Sequence, residues 1–546
     1  MKILSKNGLT SRVQTSGGGL LAAASNRDRM GFCATLGPLR SQIARTARLG
    51  YYVIALLAAT ILASGCGGGS SLPGLPPPRP VASPMTQNVS RISSDPFTNA
   101  SSQHATQVEP DAFAFATTIV ATFQSGRFFV AGASDIGFAT SHDGGATWTT
   151  GELPGTTSFA QPAGPFDSVS DPSVAYDAMH GVWLIASLPI IFGSAPPPAP
   201  AALVSRSTDG LTWGLPVAVA PGQSSSDKDW IECDNTPSSL YFGHCYIEWD
   251  DPNAGGLIHM SSSTDGGLTW GPMRNTANSA TGIGGQPIVQ PNGTVIVPIA
   301  DYNLQNMVAF ASHDGGASWT ATVVAATISD HFEAGGLRSS ALPSAAMDAA
   351  GKVYLAWQDC RFRAGCASND IVMSTSLDGV SWTPVSRVPI DSMTSSVDHF
   401  LPGIGAAPGT SGPSARLGIT YFYYPNTACS SATCVLDVGF ISSLDGGATW
   451  APPVALAGGM SVTWLPNTQN GGLMVGDYST TVYVGSQAHT VFAVAHAPAG
   501  AFDEAMYAPK AGVITVSAGA RRSSALDRPI PGAHSDHPVR RVPPIR

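Results

Sequence analysis

The string SHDGGATW at residues 141–148 returns in variant form at 207–213, 263–270, 312–319, 376–382 and 443–450. Its aspartates are Asp143, Asp209, Asp265, Asp314, Asp378 and Asp445, separated by 49 to 67 residues. A turn motif recurring at this period, with short apolar strands between copies, signals a radially repeated β-sheet fold. The mechanics follow from the residue types. A short Asp side chain accepts backbone N–H groups just downstream and closes a tight turn. The glycines after it allow positive φ where a Cβ would clash. Ser and Thr hydroxyls tie the two ends of the turn. The closing Trp starts the next strand and offers a large apolar face. Six of the eleven tryptophans take this one position: Trp148, Trp213, Trp270, Trp319, Trp382 and Trp450. These residues read as a folding device, not as chemistry.

The pattern S-x-D-G-(G)-x-[TS]-W resembles the BNR or Asp-box repeat of the sialidase superfamily, over about residues 105–515. The resemblance implies an all-β chain, a β-propeller of four-stranded antiparallel blades. Runs such as QHATQVEPDAF, SDPSVAYD, DKDWIECDN, WQDCRFRAGC and MVGDYS are similar to those of exported bacterial proteins of the sialidase or BNR-repeat type. The resemblance implies fold more than activity, because the same repeat occurs in xyloglucanases, sortilin-type receptors and a photosystem assembly factor. Inner strands are expected at 108–115, 170–177, 227–234, 284–290, 342–348, 399–405 and 473–485, the last unit lacking a box. That count predicts seven blades, with six as the alternative. Residues 86–107 are expected to supply a strand that closes the ring.

Outside the repeats the chain carries an address. Residues 50–65, GYYVIALLAATILASG, fit a signal-peptide core and are too short to span a bilayer comfortably. Arg45 and Arg48 supply its positive flank. Ala63-Ser64-Gly65-Cys66 resembles a bacterial lipobox, which makes Cys66 the expected lipidation site. Cleavage as an ordinary signal peptide is the alternative, and Met30 is a second candidate start. The domain reading is therefore a leader over 1–66, a Gly/Ser/Pro linker over 67–85, a propeller over 86–519 and a disordered Pro/Arg-rich tail over 520–546. It predicts an exported protein, a cell-envelope lipoprotein held to the membrane by its N-terminal lipid or an extracellular one, and a monomer. Cysteine usage agrees with export. Cys233 with Cys245, Cys360 with Cys366 and Cys429 with Cys434 form close pairs that read as disulfides. Zinc is the rival reading, but no Cys-x-x-Cys spacing supports it. Residues 67–519 hold 13 basic and 33 acidic residues, a net charge of −20, which argues against nucleic acid.

In propellers the leading ends of the innermost strands ring a central channel. The polar residues there are Glu109, Asp111, Asp171, Asp227, Asp229, Gln286, His399, Asp477 and Tyr478. Each is either a channel group or the cap of its own turn. The sialidase resemblance implies specific parts: an arginine triad for an anionic sugar, a Tyr nucleophile polarised by Glu, and an Asp acid/base. The best candidates are Arg127, Arg338 and Arg361 for the triad, Tyr478 for the nucleophile, Glu109 or Glu333 for its partner and Asp111 for the acid/base. Tyr302 and Tyr421 are rivals to Tyr478. The family's Arg-Ile-Pro motif is absent; Arg387-Val388-Pro389 is the nearest string, and it follows a box. A hydrolase of neutral sugars needs two carboxylates, for which Asp111, Asp171 and Asp229 stand as candidates. Trp230, Trp249 and Trp464 lie outside the boxes, as core or as sugar platforms. No cofactor is expected; the acidic rim suits calcium, although no EF-hand-like spacing is present. Two functions fit: a sialidase-like glycoside hydrolase acting on extracellular glycans, and a non-catalytic surface propeller binding glycan or glycoprotein.

Overall fold

The computed structural model describes residues 88–193, 198–223, 226–469, 471–514 and 521–522. The expected leader, Cys66 and the linker lie outside the described residues, as does most of the tail. Among the described residues, helix is confined to short 3-10 turns, and no helix is long and apolar enough to cross a membrane.

The strands fall into antiparallel four-stranded groups in chain order. The first runs Gln107–Phe115, Thr118–Arg127, Ala133–Ser141 and Thr149–Glu152. The second runs Ser168–Asp177, Val182–Ile190, Ala202–Ser207 and Val217–Val219, joined to the first by an Ala133–Val169 pair. The third and fourth start at Asp227–Cys233 and at the split strand Gly282–Ile283 and Ile288–Val289. Two more start at Ser344–Met347 and Asp398–Ala406. The last begins at Thr480–Val484, continues through Gln487–Ala495 and Glu504–Pro509, and takes Val89–Arg91 as its outer strand. The strand expected within residues 86–107 is therefore Val89–Arg91, paired with the far end of the chain.

Apolar packing fills the wedges between consecutive sheets. Val120, Phe138, Val174 and Trp183 share one wedge, and Leu184, Ile231, Ile247 and Trp249 the next. Phe123, Phe422, Phe492 and Val494 belong to one cluster, which joins the first sheet to the last two. The inner strands are also tied directly. Asp111 Oδ2 accepts the Val174 N–H at 2.9 Å, and Ser173 Oγ accepts that of Ile231 at 3.1 Å. Gln286 Oε1 accepts from Ala345 N at 2.8 Å, and Ser344 Oγ from Ile404 N at 3.0 Å. Thr481 Oγ1 donates to Gly403 O at 2.7 Å.

The boxes fold as their chemistry requires. In the first, Ser141 Oγ donates to Asp143 Oδ1 at 2.8 Å and accepts the Gly145 N–H at 2.8 Å. Asp143 Oδ1 accepts the Thr147 N–H at 2.8 Å, and Gly145 has φ +84°. The same Ser–Asp bond recurs at Asp209, Asp265, Asp314, Asp378 and Asp445. Trp213, Trp319 and Trp450 are buried, whereas Trp148, Trp270 and Trp382 are half-buried. The disulfides Cys233–Cys245, Cys360–Cys366 and Cys429–Cys434 are all formed. The first of them joins facing residues of adjacent strands.

Candidate functional site

Four of the inner strands are broken near their leading ends by a bulge. The register slips between Val108 and Asp111, Ser170 and Ser173, Asp227 and Trp230, and Phe400 and Gly403. Within these slips Glu109, Asp171, Lys228 and Leu401 take φ of +57°, +47°, +51° and +50°. Left-handed non-glycine residues cost about 1–3 kcal/mol each, so the surroundings must hold them there. The result is that three of these four residues direct charged groups to one place.

Lys228 Nζ lies 2.7 Å from Asp477 Oδ2, 3.3 Å from Asp171 Oδ1 and 3.4 Å from Glu109 Oε1. Asp477 also accepts from Arg338, and Glu109 accepts from Gln124, which donates to Ser170 Oγ at 3.1 Å as well. Gly476 completes the approach: at φ +130°, a Cβ there would stand 2.8 Å from the Glu109 nitrogen. Burial works against the Asp477 carboxylate, yet Arg338 and Lys228 hold it well below the usual range. Burial likewise opposes the Lys228 charge, but Asp171, Asp477 and Glu109 raise its pKa overall. Glu109 is pushed up to about 8, by burial first, against the pull of Lys228. Asp229 has neither carboxylate oxygen hydrogen-bonded and is raised by burial and by its neighbours Asp171 and Glu248.

Of the residues singled out in the sequence, Glu109, Asp171, Asp477 and Arg338 meet in this cluster. Arg127 is buried close by, donating to Gly132 O at 2.6 Å and to Phe128 O. Burial, then Arg338, lowers its pKa to about 10. Tyr478 touches the cluster through its ring, 5.0 Å beneath Lys228 Nζ, but its hydroxyl donates to Pro172 O at 3.2 Å. Burial, reinforced by Glu109 and Asp171, holds that phenol well above its ordinary pKa. Arg361 is placed elsewhere, on Asp359 at 2.7 Å and on Thr327 O. Glu333 lies in another polar group, accepting from Gln358 at 3.0 Å and Asn369 at 3.1 Å. Asp111 is the interstrand tie described above, and burial pushes its carboxyl up to about 7. Lys228 carries no signal in the sequence, because only the bulge between Asp227 and Trp230 brings it to the other charged groups.

His399 stands apart with Asp370 and Asp391, each offering one ligand atom within 4.8 Å of the others. These carboxylates are also held by two guanidiniums. Arg363 pairs with Asp391 at 2.7 Å and Arg387 with Asp370 at 2.7 Å. This group could hold a metal ion, which would compete with both guanidiniums for the carboxylates.

Downstream of the bulges the inner strands enclose a cavity of about 580 Å³. Asp111, Phe113, Trp230, Glu232, Gln286, Ser344, Thr480 and Tyr483 contribute to its wall, and Asp348, Pro408 and Gly409 lie at its turns. Its carboxylates are Asp111, Glu232 and Asp348; no Lys, Arg or His lines it. Glu232 Oε1 accepts the Cys233 N–H at 3.1 Å, and burial pushes this carboxyl up to about 8.

Residues 192–405 match the family described as BNR repeat-like domain. This part of the chain is similar to a BNR-repeat domain. It holds the boxes of Asp209, Asp265, Asp314 and Asp378, while those of Asp143 and Asp445 lie outside the matched span and close with the same bonds. Lys228, Glu232 and Arg338 fall inside the matched span; Glu109, Asp111 and Asp477 fall outside it. Among curated proteins, none matches the chain. Among solved structures, it is similar to a protein of unknown function from Dyadobacter fermentans, at 16% identity and TM-score 0.42, over 66% of this chain and 100% of that one. It is similar to the Hadza microbial sialidase Hz136 at 16% identity and TM-score 0.40, over 75% of this chain and 66% of that one. The NanB sialidase of Streptococcus pneumoniae aligns at 12% identity and TM-score 0.37, over 77% of this chain and 70% of that one.

Proposed function

We propose that this chain is an exported, lipid-anchored, seven-bladed Asp-box propeller that binds extracellular glycan without cleaving sialosides. One observation carries the reading against sialidase chemistry: the two cations that meet in the charged cluster, Lys228 and Arg338, are already held by the chain's own carboxylates. Arg338 and Lys228 both end on Asp477. A sialidase needs free guanidiniums for the sugar carboxylate and a phenol that ionises readily. Here the Tyr478 phenol is buried and bonded to a carbonyl. The seven-blade count is supported by four-stranded sheets that recur along the chain and by Val89–Arg91 completing the last of them.

Turnover of a chromogenic α-sialoside by the purified protein tests the reading directly. No turnover is expected, in parallel with measurable binding on an oligosaccharide panel. Sialoside cleavage that disappears in Tyr478→Phe overturns it. Export and anchoring are tested by palmitate labelling in a bacterial host: label is expected on the wild type and absent from Cys66→Ala. Six blades in end-on electron-microscopic averages would refute the count.

A further inference from the structure

We propose that the end of an uncharged saccharide enters the cavity downstream of the bulges, with Glu232 and Asp111 as its polar contacts and Trp230 as its apolar wall. The inference rests on the glycan-binding reading and names the place and the class of sugar.

Size is the first argument. At about 580 Å³ the cavity lies within the range of ligand sites, large enough for one or two sugar rings. Charge is the second. Three carboxylates and no cationic side chain line it, so a sugar carboxylate or sulfate entering there leaves its water without gaining a counter-ion. Hydroxyls of a neutral sugar have no such cost, and carboxyl groups are good partners for them. The third argument is unfilled bonding capacity. Glu232 Oε1 is engaged by the Cys233 N–H, but among the described residues Oε2 has no hydrogen-bond partner. Asp111 is committed through Oδ2 to the Val174 N–H, which fixes its orientation. Trp230 adds a large ring to the wall, braced edge-on by Tyr478 at 5.2 Å between centroids. Finally, the cavity is separate from the charged cluster. Its lining includes Asp111, Val174, Trp230 and Ile404, which follow the bulges of their strands, whereas Glu109, Asp171 and Lys228 sit within the bulges.

The test is calorimetric titration of the intact protein with cellotetraose, maltotetraose, diacetylchitobiose and sialyllactose. Two variants are measured beside the wild type: Glu232→Gln, which keeps the side-chain size and the bond from Cys233, and Ala345→Phe, which fills part of the cavity. Melting curves of both verify folding. Binding of a neutral oligosaccharide, weakened at least tenfold by Glu232→Gln and abolished by Ala345→Phe, is expected. A neutral oligosaccharide bound equally by wild type and by both variants overturns the inference but leaves the glycan reading standing. Binding of sialyllactose alone overturns it as well. Should the wild type bind none of the four, the glycan reading falls and takes this site with it.

Discussion

The ammonium of Lys228 lies 2.7 Å from the carboxylate of Asp477, two residues 249 positions apart in the chain, and both are buried. Asp171 and Glu109 face the same ammonium. A buried charge network of this kind is weak as a source of stability but costly to break on one side. Lys228→Met removes the shared cation, leaves Asp171 and Glu109 without their ion-pair partner and leaves Asp477 with Arg338 alone. It is expected to destabilise the fold by about 3–5 kcal/mol, read from urea unfolding. A variant within 1 kcal/mol of wild type, roughly the size of an exposed pair, would contradict the buried network.

Buried carboxyls give stability an unusual pH slope. Burial pushes Asp135 and Glu232 up to about 8 and Asp111 up to about 7, from ordinary values near 4. Between those limits the folded chain holds protons that the unfolded chain has released. Stability therefore falls as pH rises from about 4 to about 8. A lower melting temperature at pH 8 than at pH 5 is expected, with a shallower slope in Asp135→Asn. Equal melting at both pH values would count against it.

The box aspartates act in the opposite sense, at lower pH. Bonds from Thr147 and Ser141 depress Asp143, and bonds from Thr212 and Leu211 depress Asp209, each to about 2. Their contribution is complete above about pH 4 and is lost as pH falls toward 2. Acid unfolding in this window, shifted upward by Asp209→Asn, is the expected result.

Trp450 is the most deeply buried of the box tryptophans, with its Nε1 donating to Gly447 O at 3.1 Å. Trp450→Ala is expected to cost about 3–5 kcal/mol. The same change at half-buried Trp148 should cost less, because less apolar surface leaves water there. Chemical denaturation of both variants checks the order.

The disulfide Cys233–Cys245 closes a 12-residue separation across two paired strands. Replacing both by Ser is expected to lower stability by roughly 3 kcal/mol. Glu232 borders this bridge, so the double variant should also weaken saccharide binding, measured by the same titration.

The boxes made the repeat legible, because their turn chemistry is local: the side-chain bonds of Ser141, Asp143 and Trp148 close within eight residues. Glu109, Asp171 and Asp477 were legible as polar groups at strand ends. Lys228 was not, although it occupies the bulge position in its strand that Glu109 and Asp171 occupy in theirs. Glu232 escaped for a related reason. The bulge between Asp227 and Trp230 inserts a residue, so alternation counted from Asp227 assigns the wrong face beyond it. Arg361 illustrates the reverse error. Its carboxylate partner, Asp359, stands only two residues earlier, and that local pairing removes it from a distant triad.

Val89–Arg91 joins the last sheet through three facing residue pairs, with Pro509, Ala508 and Tyr507. This short clasp is also the first described strand after the stretch expected to serve as a tether. Tension arriving along the chain from before Asn88 would bear on the bond from Lys510 N to Asn88 O and then on those three pairs. The strand can peel from its edge while the box turns stay closed. In a protein pulled by that end the load would thus fall first on an edge strand three residues long, and removing residues up to Arg91 would remove the clasp altogether.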